Sequence, residues 1–188
     1  PGSAQCKCPV GFTGGDGSEC SACAVGTFKS AVGSASCTTC AADSVPSTSR
    51  AVCLCNVGFT GADGGVCSMC LAGTFKGDVG SEACATCPVN SQSLAGKSTC
   101  RCNMGFTGVD GGPCIACVAG KFKNTIGLAD CSTCPLHTSS AKGSDAITDC
   151  ICLPGHTSTE AGVACSSCWA GTYQSTPGGT ECVQCPDG

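Results

Sequence analysis

The chain has 188 residues, of which 24 are Cys, 28 are Gly and only eight are aromatic, so it has little from which to build an apolar interior. A net charge of -4, with 12% charged residues, offers no basic face and argues against nucleic acid or anionic lipid as a partner. No apolar run approaches the roughly 20 residues of a membrane helix, and the amino end "PGSAQCKC" lacks the basic start and apolar stretch of a signal peptide.

In chain order, "CKCPVGFTGGDGSECSACAVGTFK" from Cys6 recurs as "CLCNVGFTGADGGVCSMCLAGTFK" from Cys53 and "CRCNMGFTGVDGGPCIACVAGKFK" from Cys100, at steps of 47 residues. A fourth, more divergent copy begins at Cys150, after a step of 50, where His156 replaces Phe and the Asp-Gly pair is lost. Four repeats are expected, at residues 1–52, 53–99, 100–149 and 150–188, the last continuing beyond this segment. Each carries CxC, CxxC and CxxC, which uses every cysteine.

The six Phe fall at two places per repeat, Phe12, Phe59 and Phe106 and then Phe28, Phe75 and Phe122, with Tyr173 at the second place in the last copy. One or two rings are the expected aromatic core of each repeat. Asp16, Asp63 and Asp110, each before Gly, mark hairpin turns, and Gly26, Gly73, Gly120 and Gly171 suit backbone of positive φ. No stretch of 11 residues or more has helical apolar spacing. The predicted fold is small and disulfide-rich, an elongated rod of tandem repeats made of short irregular β-hairpins. The polar stretches "PVNSQSLAGKST" and "PLHTSSAKGSDAITD" are read as the loops that absorb changes in repeat length.

Three uses of the sulfurs compete. The spacing of Cys20, Cys23, Cys37 and Cys40 is close to that of a zinc ribbon, but the CxC pairs would have no place in such a site and the chain has only two His. A redox CxxC needs a helix start to lower its thiol pKa, and no helix can be read here. Disulfides remain, and a bridge closing about 15 residues stabilises by roughly 3 kcal/mol in the chain-entropy model. Such bridges persist in an oxidising place, so the chain is expected outside the cytosol.

The preferred pattern has each cysteine closing the loop that follows: Cys8 with Cys20, Cys23 with Cys37, Cys40 with Cys53, Cys55 with Cys67, Cys70 with Cys84, Cys87 with Cys100, Cys102 with Cys114, Cys117 with Cys131, Cys134 with Cys150, Cys152 with Cys165 and Cys168 with Cys182. It leaves Cys6 and Cys185 unmatched within the segment or linked to a neighbour. The alternative interlocks the CxxC pairs, as Cys20 with Cys37 and Cys23 with Cys40. Both patterns stay open at this stage.

Other residues carry weaker signals. Each turn Asp stands alone, without the several oxygen ligands calcium needs. Lys29, Lys76 and Lys123 recur at the repeat period and are read as solvated side chains that discourage edge pairing, with a ladder for an acidic glycan or partner as the alternative. Trp169 is expected to pack over a disulfide rather than anchor a contact. His137 and His156 are read as isolated in loops, without a nucleophile beside them. Asn56, Asn90, Asn103 and Asn124 all fail the NxS/T acceptor pattern, while Ser and Thr crowd loops such as "SVPSTS", which points to O-linked glycans. No catalytic residue, cofactor or metal ligand is assigned.

The string CxCxxGFTG resembles the second half of an epidermal growth factor-like module. The CxxCxxGTF or CxxCxxGTY ahead of the next CxxC, best seen in "CSSCWAGTYQSTPGGTECVQCPDG", resembles the ephrin-receptor-like cysteine-rich repeat and covers essentially the whole chain. Such repeats occur in receptors, matrix proteins and protist surface proteins, including filament proteins similar to mastigoneme subunits. The resemblance implies an extracellular or cell-surface array without catalytic residues. The expected function is a non-enzymatic structural segment of a filament or appendage, which self-assembles or joins other surface proteins. A ligand-binding receptor or adhesin ectodomain is the alternative.

Overall fold

Two-residue strands are what this sequence can support, since Gly, Ser and Pro interrupt every apolar stretch before a longer ladder can form. The computed structural model describes residues 6–186. It contains eleven two-stranded antiparallel sheets and, among the described residues, one short 3-10 helix, Ile147–Asp149. The chain divides into two compact units, Pro1–Cys87 with Ser93–Thr99, and Pro88–Gln92 with Cys100–Gly188.

In the first unit Phe12–Thr13 pairs with Ser21–Ala22, Thr27–Phe28 with Thr38–Thr39, and Ser44–Pro46 with Cys53–Cys55. The cycle then restarts, with Phe59 opposite Met69 where Phe12 stands opposite Ala22. The second unit continues it, with Phe106 opposite Ala116, Phe122 opposite Ser132, Thr138 opposite Cys152, His156 opposite Ser167 and Tyr173 opposite Val183. Each 47-residue repeat is therefore three hairpins, one for each of the three cysteine-bounded loops expected per repeat.

One local motif sets that division. The third residue after the cysteine that opens a hairpin has positive φ: Gly11 and Gly26 at 78°, Asp43 at 59°, Asn90 at 63° and His137 at 59° are examples. Its carbonyl accepts the N–H that leads into the next hairpin, as in Cys23 to Gly11, Cys40 to Gly26 and Asn56 to Asp43. Where Ser or Thr follows the turn residue, its hydroxyl closes the turn, with Thr27 Oγ1 donating to Ala24 O at 2.8 Å and Ser44 Oγ to Ala41 O at 2.7 Å. Glycine, Asp, Asn and His hold this place because they tolerate the left-handed region.

The interior is made of cystine. Cys8, Cys23, Cys55, Cys70, Cys100, Cys102, Cys117 and Cys150 are all at most 1% exposed. The expected aromatic core is corrected by the structure: Phe122 alone of the rings is buried, against Cys134 and Cys150, whereas Phe12 is 39% exposed. A two-stranded hairpin has too little area to cover a ring on both faces, so most of the rings lie partly open. The longer step before the fourth repeat is taken up at the 3-10 turn, where Asp149 Oδ2 accepts the N–H groups of Asp145 and Ala146 at 3.1 Å.

Candidate functional site

The sulfurs close the hairpins one after another. The structure joins Cys8 to Cys20, Cys23 to Cys37, Cys40 to Cys53, Cys55 to Cys67 and Cys70 to Cys84 in the first unit. In the second it joins Cys102 to Cys114, Cys117 to Cys131, Cys134 to Cys150, Cys152 to Cys165 and Cys168 to Cys182. The Cα atoms in each pair are 5.5 or 5.7 Å apart, the usual reach of a bridge. Cys87 and Cys100 are disulfide-bonded as well, and Cys6 and Cys185 are free and exposed. The four cysteines with zinc-ribbon spacing, Cys20, Cys23, Cys37 and Cys40, belong to three separate bridges. Among the described residues no three His, Cys, Asp or Glu side chains are grouped to hold a metal ion.

The recurring lysines do not point into solvent. Lys29 and Lys76 are 4% exposed and Lys123 is 2% exposed, which corrects the reading of them as solvated or as a ligand ladder. The cause lies in the backbone around them. Lys29 donates its N–H to Arg50 O in the third hairpin and accepts the Gly11 N–H of the first at its carbonyl, which places its stem between the two. Its ammonium then reaches Phe12 O at 2.6 Å, Cys8 O at 3.4 Å and Gly33 O. Lys76 Nζ reaches Cys55 O at 3.4 Å in the second repeat. In the third, Lys123 Nζ donates to Phe106 O at 2.7 Å and to Asn103 O at 3.4 Å.

A buried ammonium of this kind supplies a donor to the carbonyls of the strand residues Phe12 and Phe106, and a second donor to those of Cys8, Cys55 and Asn103, which also accept the N–H groups of Gly33, Gly80 and Phe106. Burial holds Lys123 below the usual amine range, against the opposing pull of the Asp110 carboxylate. Asp110 also pairs with Arg101 at 3.4 Å. In the fourth repeat the corresponding residue is Gln174, 7% exposed, whose carbonyl accepts the Gly155 N–H at 2.7 Å as the lysine carbonyls do.

The remaining candidates resolve differently. Gly17, Gly64 and Gly111, each following a turn Asp, have φ of 75–78° and donate N–H to Cys6, Cys53 and Cys100 O. Gly162 donates to Cys150 O with φ of 76°, so the turn survives in the fourth repeat although the Asp-Gly pair does not. His137 and His156, expected to be isolated, stack with ring centroids 4.1 Å apart and planes 18° from parallel. Trp169 is 82% exposed instead of packed over a cystine, as are the residues after the corresponding cysteines, Leu71 at 76% and Val118 at 61%.

A family model described as tyrosine-protein kinase ephrin type A/B receptor-like matches residues 11–53, 105–150 and 155–188, more than half of the chain. No curated protein matches the chain. Among the described residues no helix is long and apolar enough to cross a membrane.

Proposed function

Since the chain belongs to the tyrosine-protein kinase ephrin type A/B receptor-like family, whose repeat is a disulfide-rich extracellular type of module and not a catalytic one, we propose that it is a load-bearing structural segment of an extracellular filament or cell-surface appendage. The observation that carries this reading is the serial order of the bridges. Between Cys20 and Cys23, Cys37 and Cys40, or Cys53 and Cys55, only one or two residues separate one bridge from the next. Tension applied along the chain then passes through sulfur at each hairpin, and the 12 to 16 residues of sequence separation within each bridge are shielded from it. Serial bridging, the four repeat boundaries and self-assembly are parts of the same proposal. Electron microscopy of the native material tests it: filaments or appendage fragments support the reading, and dispersed monomers contradict it.

One observation favours a second reading, a ligand-binding ectodomain. Trp169 stands 82% exposed in the one repeat whose sequence departs from the others. Exposed Trp is a common anchor at interfaces. A saturable protein partner lost on Trp169→Ala supports this second reading; unchanged partner binding contradicts it. O-linked sugar on the Ser- and Thr-rich loops accompanies either role, and the intact mass before and after deglycosylation decides it.

A further inference from the structure

We propose that His137 and His156 form an acid-sensitive latch between the third and fourth repeats, closed while at most one of the two rings carries a proton and opened when both do. They are the chain's only two His, and each departs from the other copies. His137 holds the turn place that is Asp43 and Asn90 in the earlier repeats, and His156 the place of Phe12, Phe59 and Phe106. Both departures fall at one junction. There the rings meet face to face, with centroids 4.1 Å apart and planes 18° from parallel. The junction keeps the backbone hydrogen bond of the one before it: Leu153 donates its N–H to His137 O at 2.9 Å, as Asn103 does to Asn90 O at 2.9 Å.

Both residues are half-buried, and the charge on the rings decides whether the stack holds. His156 Nδ1 lies 3.1 Å from Pro154 O, which can only accept, so Nδ1 carries the hydrogen and Nε2 is the atom left to take up a proton. One charged ring stacks on a neutral one with no like charge facing it. Two charged rings at this distance repel, and no carboxylate offsets them. Of the charged groups on these two hairpins and the hairpins flanking them, Asp149 is bonded to the N–H groups of Asp145 and Ala146 and Lys123 to Phe106 O. Among the described residues none of Lys121, Asp130, Lys142, Asp145, Glu160 and Glu181 is ion-paired with either ring. Imidazole gains its proton within about pH 5–8. As pH falls through that range the opened chain takes up both protons freely, whereas the closed pair resists the second, so the latch's contribution to stability is lost. A metal ion does not fit between these rings. Each lone pair lies in its ring plane, and planes stacked this near to parallel do not aim two of them at one point.

The test is amide hydrogen exchange of the oxidised chain at about pH 7.5 and about pH 5, on either side of the ordinary imidazole midpoint, with Cys6 and Cys185 alkylated. The Leu153 N–H reports the latch, and the Asn103 N–H, whose junction has no His, is the internal reference. Protection of Leu153 relative to Asn103 is expected to fall about tenfold between the two pH values, as like charges at a half-exposed site produce. The variant carrying both His137→Asn and His156→Phe has the residues that other copies use at these places, and its ratio is expected to stay constant. Each single variant has one imidazole left and is expected to behave as the double variant does, so either makes the comparison if the double variant does not fold. An unchanged ratio in the parent overturns the proposal. A single variant that keeps the parent's fall overturns it too, since one ring alone would then carry the response.

Discussion

Lys29 donates its ammonium to the carbonyl of Phe12 at 2.6 Å, across two hairpins that share no strand pairing. The contact recurs between Lys123 and Phe106 at 2.7 Å, in the third repeat. A charged side chain thus occupies the place where a larger domain would use an apolar one. It fits because the surrounding surface is backbone carbonyl and cystine, which offers acceptors in several directions.

Removing that ammonium takes the charged donor from the Phe12 and Gly33 carbonyls, while Cys8 O keeps the Gly33 N–H. Lys29→Met, which keeps the length and apolar stem, is expected to destabilise the oxidised chain by about 2–3 kcal/mol, in the range for buried groups left without a charged donor. Lys29→Gln retains a donor and should cost less. Chemical denaturation with the bridges intact measures both, and a Lys29→Met chain as stable as the parent contradicts the role given to this lysine.

The pH dependence of Lys123 has a definite sign. Its folded pKa lies below the ordinary lysine value of 10.5 because burial penalises the charged form more than Asp110 favours it. Between that lowered value and 10.5 the unfolded chain binds more protons than the folded one, so this group's contribution to stability rises with pH across the window. With Cys6 and Cys185 alkylated, the stability difference between the parent and Lys123→Gln is expected to shift in favour of the parent as pH rises towards 10.5. A shift in the opposite direction contradicts the burial argument.

Two glycines with the same backbone angle separate strain from contact. Gly26 and Gly58 both have φ of 78°, but a Cβ at Gly26 meets nothing within 4 Å while one at Gly58 runs into the Gly96 carbonyl. Gly26→Ala should cost about 1 kcal/mol, the left-handed penalty alone. Gly58→Ala should cost at least twice as much, about 2 kcal/mol or more, since the third hairpin's loop must also move. Equal losses in urea unfolding would show that the loop does not press on that turn.

The one-disulfide hairpins were legible from cysteine spacing and turn residues, because Cys-x-x-Gly states both the opening of a loop and its positive φ. The turn residue of the third hairpin is harder to see. Asp43, Asn90 and His137 perform the glycine's task at every third hairpin, and a reader matching Gly alone passes over them. The lysine positions were misread for a physical reason: Lys after a strand aromatic ordinarily marks a wet edge, and only knowledge of which carbonyls lack partners turns it inward. The meeting of His137 and His156 depends on the approach of two different hairpins, for which no spacing rule exists.

Force spectroscopy examines the mechanical reading. Under oxidising conditions a stretched chain should lengthen little, because each loop is bypassed by sulfur. Reduction should release roughly 40 Å of contour per bridge, as for the separation of 14 residues at Cys70–Cys84. Large extension without reductant contradicts load transfer through the bridges.

The most direct test of the whole account is the disulfide map. The oxidised chain, alkylated and digested at low pH without reductant, should yield peptides in which Cys8 is linked to Cys20, Cys23 to Cys37 and Cys40 to Cys53, and so on along the chain. Peptides linking Cys20 to Cys37 and Cys23 to Cys40, or a chain whose cysteines all alkylate without reduction, would contradict it.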